Sequence, residues 1–383
     1  MVKRNAEEDS QFDCIATACD QQWLYRFGDG GIVYSQAQKR FVGLDAAGML
    51  AYQAFDAGAT PHDLLESSGA GQTSSIATEA LDIVFALSRG RFPESSEQEE
   101  ARDWPALAPS TTANVEVHGI PVFVECPPQA LGVLCRDCFL SCPSTTQPAR
   151  FHLRLQRAVN SWTIFANDRE IFASMKDEQV GLGMLHAVRS LLYSEAHYDI
   201  AFHAAMVAND RHGIMLCAPR EAGKSTLSAH LAAHGFTLIS DEPALLSLDT
   251  CSISSVEMPI SLKEGTWSIL ATEWPQLSNA PIHIRSDGRR IKLLHATREP
   301  AINSLQRITH IIFPRYSPVS AAGIEMLSPL RVLTRLNEGG MLLGERMNKK
   351  GFEQLLKLIC SLPAFATRYP SLLEAEQMIR SVL

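Results

Sequence analysis

Hydrophobic and polar positions alternate in ways that predict an ordered series of elements. Near the start, the apolar and aromatic stretches 23–27 and 32–34 flank Gly28-Asp29-Gly30-Gly31, whose glycines tolerate positive φ, so the segment predicts a hairpin. A short strand follows over 40–44. Asp45 predicts an N-cap for a helix from Ala46 to about Ala57, ended by Gly58, and Thr60-Pro61 open a second helix through Glu66. A third helix runs from about Ser75 to Ser88, where Ile76, Leu81, Val84, Phe85 and Leu87 gather on one side.

Farther along, 115–118 and 121–125 alternate as strands around Gly119-Ile120, and 151–155 and 162–166 do likewise. Residues 180–195 carry Leu182, Leu185, Val188, Leu191 and Leu192 at helical spacing. The stretch 202–207 reads as a strand that turns at 209–213 into the apolar strand 214–217. After a loop, Leu227 and Leu231 begin a helix that stops at His234-Gly235, and a further strand, 236–240, ends at Asp241-Glu242.

The pattern breaks over 90–112, where Pro93, Pro105 and Pro109 punctuate Glu94, Glu97, Glu99, Glu100 and Asp103. So acidic a stretch buries too little apolar surface to order itself and reads as a linker. The chain is thereby divided into a tail (1–20), a small domain (21–89), the linker (90–112) and a larger domain (113–383), as its 383 residues also require.

Composition narrows the function. Apolar residues make up 46% and charged residues 20%, the usage of a globular protein with a real core. The formal charge is −8, from 34 basic against 42 acidic residues, without a long Lys/Arg block, so nucleic acid is not the expected partner. No apolar run reaches the roughly 18–20 residues of a membrane span, and the first ten residues are polar. Nine scattered cysteines suit free thiols in a reducing interior, so a cytoplasmic protein without membrane association is expected.

The segment 214–227 carries the strongest chemistry. An apolar strand leads through Ala218, Pro219, Arg220, Glu221 and Ala222 to Gly223-Lys224-Ser225-Thr226 at a helix start, the strand, loop and helix context of a P-loop. There backbone N–H groups would hold the β-phosphate of ATP, Lys224 would reach the β- and γ-phosphates, and the Ser225 hydroxyl would ligate Mg2+. Ala218 stands where the motif G-x-x-x-x-G-K-S/T has its first glycine, so it is expected to adopt a conformation that glycine finds easier. An ordinary helix start with an exposed lysine is the alternative.

Asp241 and Glu242 end a strand expected to lie parallel and beside the P-loop strand, where α/β sheets place their active sites. A carboxylate there can accept the proton of an attacking hydroxyl or hold Mg2+; a simple turn cap is the alternative. His203 lies at the far end of the hairpin that delivers Ala218 and is expected to hydrogen-bond Asp241, although a lone histidine in an apolar strand is often a core residue. Lys263 can neutralise phosphate charge, and Arg315, at a later strand end, is a weaker candidate for the same work. Cys135-Arg136-Asp137-Cys138 with Cys142 has zinc-knuckle spacing, but no second pair follows.

Two resemblances organise these residues. Val33-Tyr34, Phe41-Val42-Gly43-Leu44-Asp45 and Ala57-Gly58-Ala59-Thr60 resemble the PqqD-like family, whose winged-helix modules bind leader peptides of ribosomally made precursors. That resemblance covers about 21–89 and implies a peptide added as a strand to the hairpin edge. A plain packing or oligomerisation module is the alternative.

His203-Ala204-Ala205, 218–226 and Leu238-Ile239-Ser240-Asp241-Glu242 resemble the HPr serine kinase C-terminal domain and the HPr-kinase-related proteins, over about 113–330. Pro259-Ile260-Ser261-Leu262-Lys263-Glu264 resembles the Pro-x-Ser-Leu-Lys stretch of the latter group. This likeness implies Asp241 as general base toward a serine hydroxyl, His203 as its support, and the second acid, here Glu242 rather than Asp, at the metal. The family's glycine-rich signature has no clear counterpart, so reverse phosphorolysis is not expected.

Together they imply an α/β fold with an HPr-kinase-like P-loop core and an N-terminal winged-helix domain. The implied function is an ATP- and Mg2+-dependent kinase acting on a Ser or Thr of a precursor peptide, similar to lasso-peptide tailoring kinases, with homo-oligomerisation left open. A non-catalytic ATP- and peptide-binding scaffold and a small-molecule kinase are the alternatives.

Overall fold

In a computed structural model, which describes residues 12–17, 19–67, 75–89, 91, 111–117, 119–127, 144–157, 161–219, 221–254, 256, 258–296 and 305–383, the first ladder is antiparallel throughout. It comprises β1 (Asp13–Ala16), β2 (Gln22–Phe27), β3 (Gly30–Ser35) and β4 (Arg40–Leu44), in that order. Gly28, at φ +59°, makes the hairpin turn, and Trp23 lies opposite Tyr34. Helices α1 (Ala46–Asp56), α2 (Pro61–Ser67) and α3 (Ser75–Ser88) follow, and the Asp45 side chain caps α1 by accepting from Gly48 N–H at 2.8 Å.

Most of the expected linker lies outside the described residues, but its last two positions already belong to β5 (Thr111–Val117). β6 (Ile120–Cys126), β7 (Phe151–Arg157), β8 (Trp162–Ala166) and β9 (Arg169–Met175) complete a sheet that is antiparallel except between β6 and β7. The apolar side of α4 (Val180–Glu195), with Met184, Leu185, Val188, Leu191 and Leu192, closes one core with Val122, Leu153 and Ile164 of that sheet.

The chain then runs through β10 (Ile200–Phe202), β11 (Ala204–Ala208), β12 (Gly213–Cys217), α5 (Lys224–Ala233), β13 (Thr237–Asp241), β14 (Ala244–Ser247) and β15 (Ser252–Ser254). Next come β16 (Ile260–Lys263), α6 (Glu264–Leu270), β17 (His283–Ile284), β18 (Arg290–Leu294), β19 (Leu305–Arg307), β20 (His310–Tyr316) and β21 (Gly323–Met326). Helix α7 (Pro329–Glu338), β22 (Met341–Leu343), α8 (Lys349–Ser361), β23 (Ala364–Tyr369) and α9 (Leu372–Ser381) end it. A six-stranded mixed sheet has the order β13-β11-β12-β20-β23-β21. β11 runs antiparallel to both β12 and β13, whereas β12 and β20 are parallel. No helix among the described residues is long and apolar enough to cross a membrane.

The chain divides into two compact units, Met1–Gln98 with Met326–Ala364, and Glu99–Glu325 with Phe365–Leu383. The expected continuous domain over 113–383 is thereby corrected, because 326–364 groups with the N-terminal elements. The reason is burial. α8 carries Phe352, Leu355, Leu356 and Ile359 on one face, and the sheet offers Tyr25, Tyr34 and Phe41 around the Phe352 ring. Phe352 stacks on Tyr34 at 4.1 Å and 3°, an aromatic pair that no local pattern announces.

Candidate functional site

Two sheets meet at the site. Ala204 pairs with Cys217 of β12 and Ala205 with Asp241 of β13, so the carboxyl ends of β12 and β13 lie at one end of the six-stranded sheet. One residue earlier the chain changes sheets, since Phe202 of β10 pairs with Ala244 of β14. His203 sits at that break on one strand and Glu242 at the corresponding break on the other. Two expectations are corrected accordingly. β13 runs in the direction of β12 but is separated from it by β11, and the strand expected over 202–207 is broken at His203.

The loop after β12 keeps Ala218 buried and leaves Pro219 and Glu221 exposed, with Ala222 and Gly223 half-buried; Arg220 lies outside the described residues. Ala218 is not among the positive-φ residues, contrary to expectation. The left-handed turns fall instead at Glu221 (φ +73°) and at Gly223 (φ +93°), the N-cap of α5. Lys224 is buried, and its Nζ donates to the carbonyls of Ala218 and Pro219, the latter at 3.3 Å. Ser225 and Thr226 are half-buried in the first turn of α5.

A Cβ at Gly223 would lie 3.2 Å from Tyr369 Oη, a buried hydroxyl without a hydrogen-bond partner. Gly223→Ala therefore combines left-handed strain with crowding. It is expected to destabilise its unit by about 1–2 kcal/mol, read by calorimetry.

Asp241, 7% exposed, accepts a hydrogen bond from Ser228 Oγ at 3.2 Å. Burial, reinforced by the charge of Glu242, pushes its carboxyl up to about 7, against the opposing pull of Ser225, Arg189 and Ser228. Glu242 behaves oppositely. Burial would raise it as well, but the His203 hydrogen bond and the charges of Arg189 and Lys224 outweigh that and hold it below the usual carboxylate range. His203 Nδ1 lies 2.8 Å from Glu242 Oε1, and Arg189 Nη1 donates to the same oxygen at 3.4 Å. His203 thus supports Glu242, not Asp241 as expected, because both stand at the sheet break.

Lys263, at the end of β16, lies 3.3 Å from Glu221 Oε1, and Arg289 pairs with the same carboxylate. Burial lowers the Lys263 ammonium, as does the nearby Arg285 charge, with Asp287 opposing. Arg315 is exposed at the end of β20, next to Tyr316, whose N–H donates to Ala222 O at 3.4 Å. The Cys135, Cys138 and Cys142 cluster lies outside the described residues.

Sequence reasoning missed Arg189, Ser228, Arg289 and Tyr369. Arg189 did leave a signal, a lone cation among Leu185, Val188, Leu191 and Leu192 of an apolar helix. Tyr369 left none, being brought in from the far end of the chain by β23.

A magnesium triphosphate fits this donor set. Lys224 and the α5 N-terminus offer positive charge, Ser225 and Asp241 offer hard oxygen ligands, and Tyr369 offers a buried, unpartnered hydroxyl. Glu242 Oε1 is engaged by His203 and Arg189, which gives it a partner other than a metal. In comparisons with known proteins, no family model and no curated protein matches the chain.

Proposed function

We propose that the chain is an ATP- and Mg2+-dependent kinase with an HPr-kinase-like P-loop core. It transfers the γ-phosphoryl group to a Ser or Thr hydroxyl of a ribosomally made precursor peptide, whose leader binds the PqqD-like N-terminal elements. One observation carries the reading: a buried carboxylate pushed up to about 7, Asp241, accepts a hydrogen bond from Ser228 of the helix that opens with Lys224 and Ser225.

A general base works best with a proton affinity close to the operating pH, and Asp241 has it. Its neighbour Glu242 is driven the other way and stays ionised, so two adjacent acids are separated into a proton acceptor and a fixed charge. Asp241 would take the proton of the acceptor hydroxyl. Lys224 would exchange its two loop carbonyls for phosphate oxygens, and Lys263 and Arg289 stand near enough to the loop to offset further charge. Ser225 Oγ, with Asp241 through water, would hold Mg2+, which would supply charge neutralisation on the phosphates.

For the peptide, the long edges of the β2–β3 hairpin are already taken by β1 and β4, so an added strand would lie outside one of those two. Binding there raises the local concentration of the acceptor.

The test incubates the full chain with ATP, Mg2+ and a serine-bearing precursor, following ADP release and the mass gain of one phosphate. Adding free leader peptide in excess is expected to raise the KM for the precursor and leave basal ATP hydrolysis unchanged. Tight ATP binding without phosphopeptide would leave a scaffold. A precursor KM indifferent to free leader would remove the recognition role.

A further inference from the structure

At the opposite end of α5 from Lys224, four side chains converge that the proposed kinase chemistry does not use. His230 and His234 lie one turn apart, with ring centroids at 4.1 Å. Glu273, in the loop after α6, reaches His230 Nδ1 at 2.7 Å and His234 Nε2 at 3.4 Å. Glu376 of α9 takes the other nitrogens, His230 Nε2 at 3.1 Å and His234 Nδ1 at 2.9 Å, and is itself bound by Arg380 at 2.8 Å.

Every ring nitrogen of the pair thus faces a carboxylate oxygen. A neutral imidazole has one N–H and one lone pair, so two lone pairs would confront oxygens unless each ring carries an extra proton or a cation lies between. Two imidazolium rings with centroids 4.1 Å apart would set like charges together. A divalent cation resolves the conflict, because each ring then gives its lone pair to the metal and its N–H to a carboxylate. Two further observations agree. Glu273 Oε2 is buried without a hydrogen-bond partner, and the cluster lies at the C-terminal end of α5, where the helix dipole favours positive charge.

We infer that His230 Nδ1, His234 Nε2 and the Glu273 carboxylate form a Zn2+ site, with Glu376 orienting both rings from behind. Three such ligand atoms lie within 4.8 Å of one another, a separation that small adjustments bring to the tetrahedral edge of about 3.3 Å set by bonds near 2.0 Å. Two His one helical turn apart plus a carboxylate is a zinc-type N/O donor set, and a carboxylate holding the second ring nitrogen fixes tautomer and aim. The ion ties the end of α5 to the loop after α6 and leaves a fourth position for water. The inference is independent of the kinase reading.

The test strips the full chain with chelator and titrates Zn2+ by calorimetry, in excess Mg2+ and without nucleotide. One equivalent should bind and raise the melting temperature. Glu273→Gln, close in volume, and His234→Ala, at a side chain 37% exposed, should each weaken that binding at least 100-fold while the circular dichroism spectrum stays unchanged. Glu376→Gln should cost about 10- to 100-fold. Co2+ in place of Zn2+ should give a tetrahedral visible spectrum without a thiolate charge-transfer band. Absence of saturable binding, equal binding by wild type and both ligand variants, or a thiolate band would overturn the site.

Discussion

Asp241→Asn is expected to yield a chain that melts higher than the wild type at pH 8 and transfers almost no phosphate. In the unfolded chain an aspartate titrates near 3.9, whereas here burial lifts Asp241 to about 7. The folded state therefore holds this proton more tightly. The resulting stability is complete below about pH 4 and is lost as pH rises through about 7, above which a charge is buried at a cost. Three pKa units set a ceiling of about 4 kcal/mol.

Asparagine removes the charge and can keep an acceptor for Ser228, so a gain of about 1–3 kcal/mol is expected, a melting rise of roughly 3–8 °C. The difference should shrink as pH falls below about 7 and vanish only below about pH 4. Loss of the base should cut turnover by about 10²- to 10⁴-fold with ATP binding retained. Equal melting of the two proteins at pH 8 would contradict the burial argument. Unchanged turnover would remove Asp241 from the chemistry.

Lys224→Met is expected to weaken ATP·Mg2+ binding at least 100-fold, which is about 3 kcal/mol. The ammonium is buried against the carbonyls of Ala218 and Pro219, a preformed arrangement in which the charge faces the loop and little solvent. Methionine fills similar volume but leaves those carbonyls without a donor, at a cost of about 1–2 kcal/mol in stability. Lys224→Arg should not rescue binding, because a planar fork does not fit a pocket shaped for a point charge. Calorimetric titration reads the affinity, and a change of threefold or less would show that the loop does not grip phosphate.

Elements governed by near neighbours in the chain were legible. Asp45 caps α1, Gly28 turns the hairpin, α3 occupies Ser75–Ser88, and α4 runs over Val180–Glu195, each where periodicity and capping preferences put it. The same holds for the strand, loop and helix around Gly223-Lys224-Ser225, since those residues lie within one turn of each other. Asp241 was legible as a strand-terminal acid. Its neighbour's partner was not, because the break at His203 that turns the imidazole toward Glu242 exists only where two sheets cross.

Long-range packing decided the rest. Ala218 keeps ordinary backbone because Glu221 and Gly223 absorb the left-handed turns, a division that the whole loop negotiates. Helix α8 leaves its sequence neighbours for the ring of Tyr34, and Tyr369 arrives beside Gly223 because β23 joins the six-stranded sheet next to β20. His230 and His234 are one turn apart in any reading, yet Glu273 and Glu376 join them only through folding. Periodicity and caps act over a few residues and are written locally. Which apolar face covers which sheet, and which carboxylate meets which histidine, depends on burial shared among segments far apart in the chain, and only the tertiary structure records it.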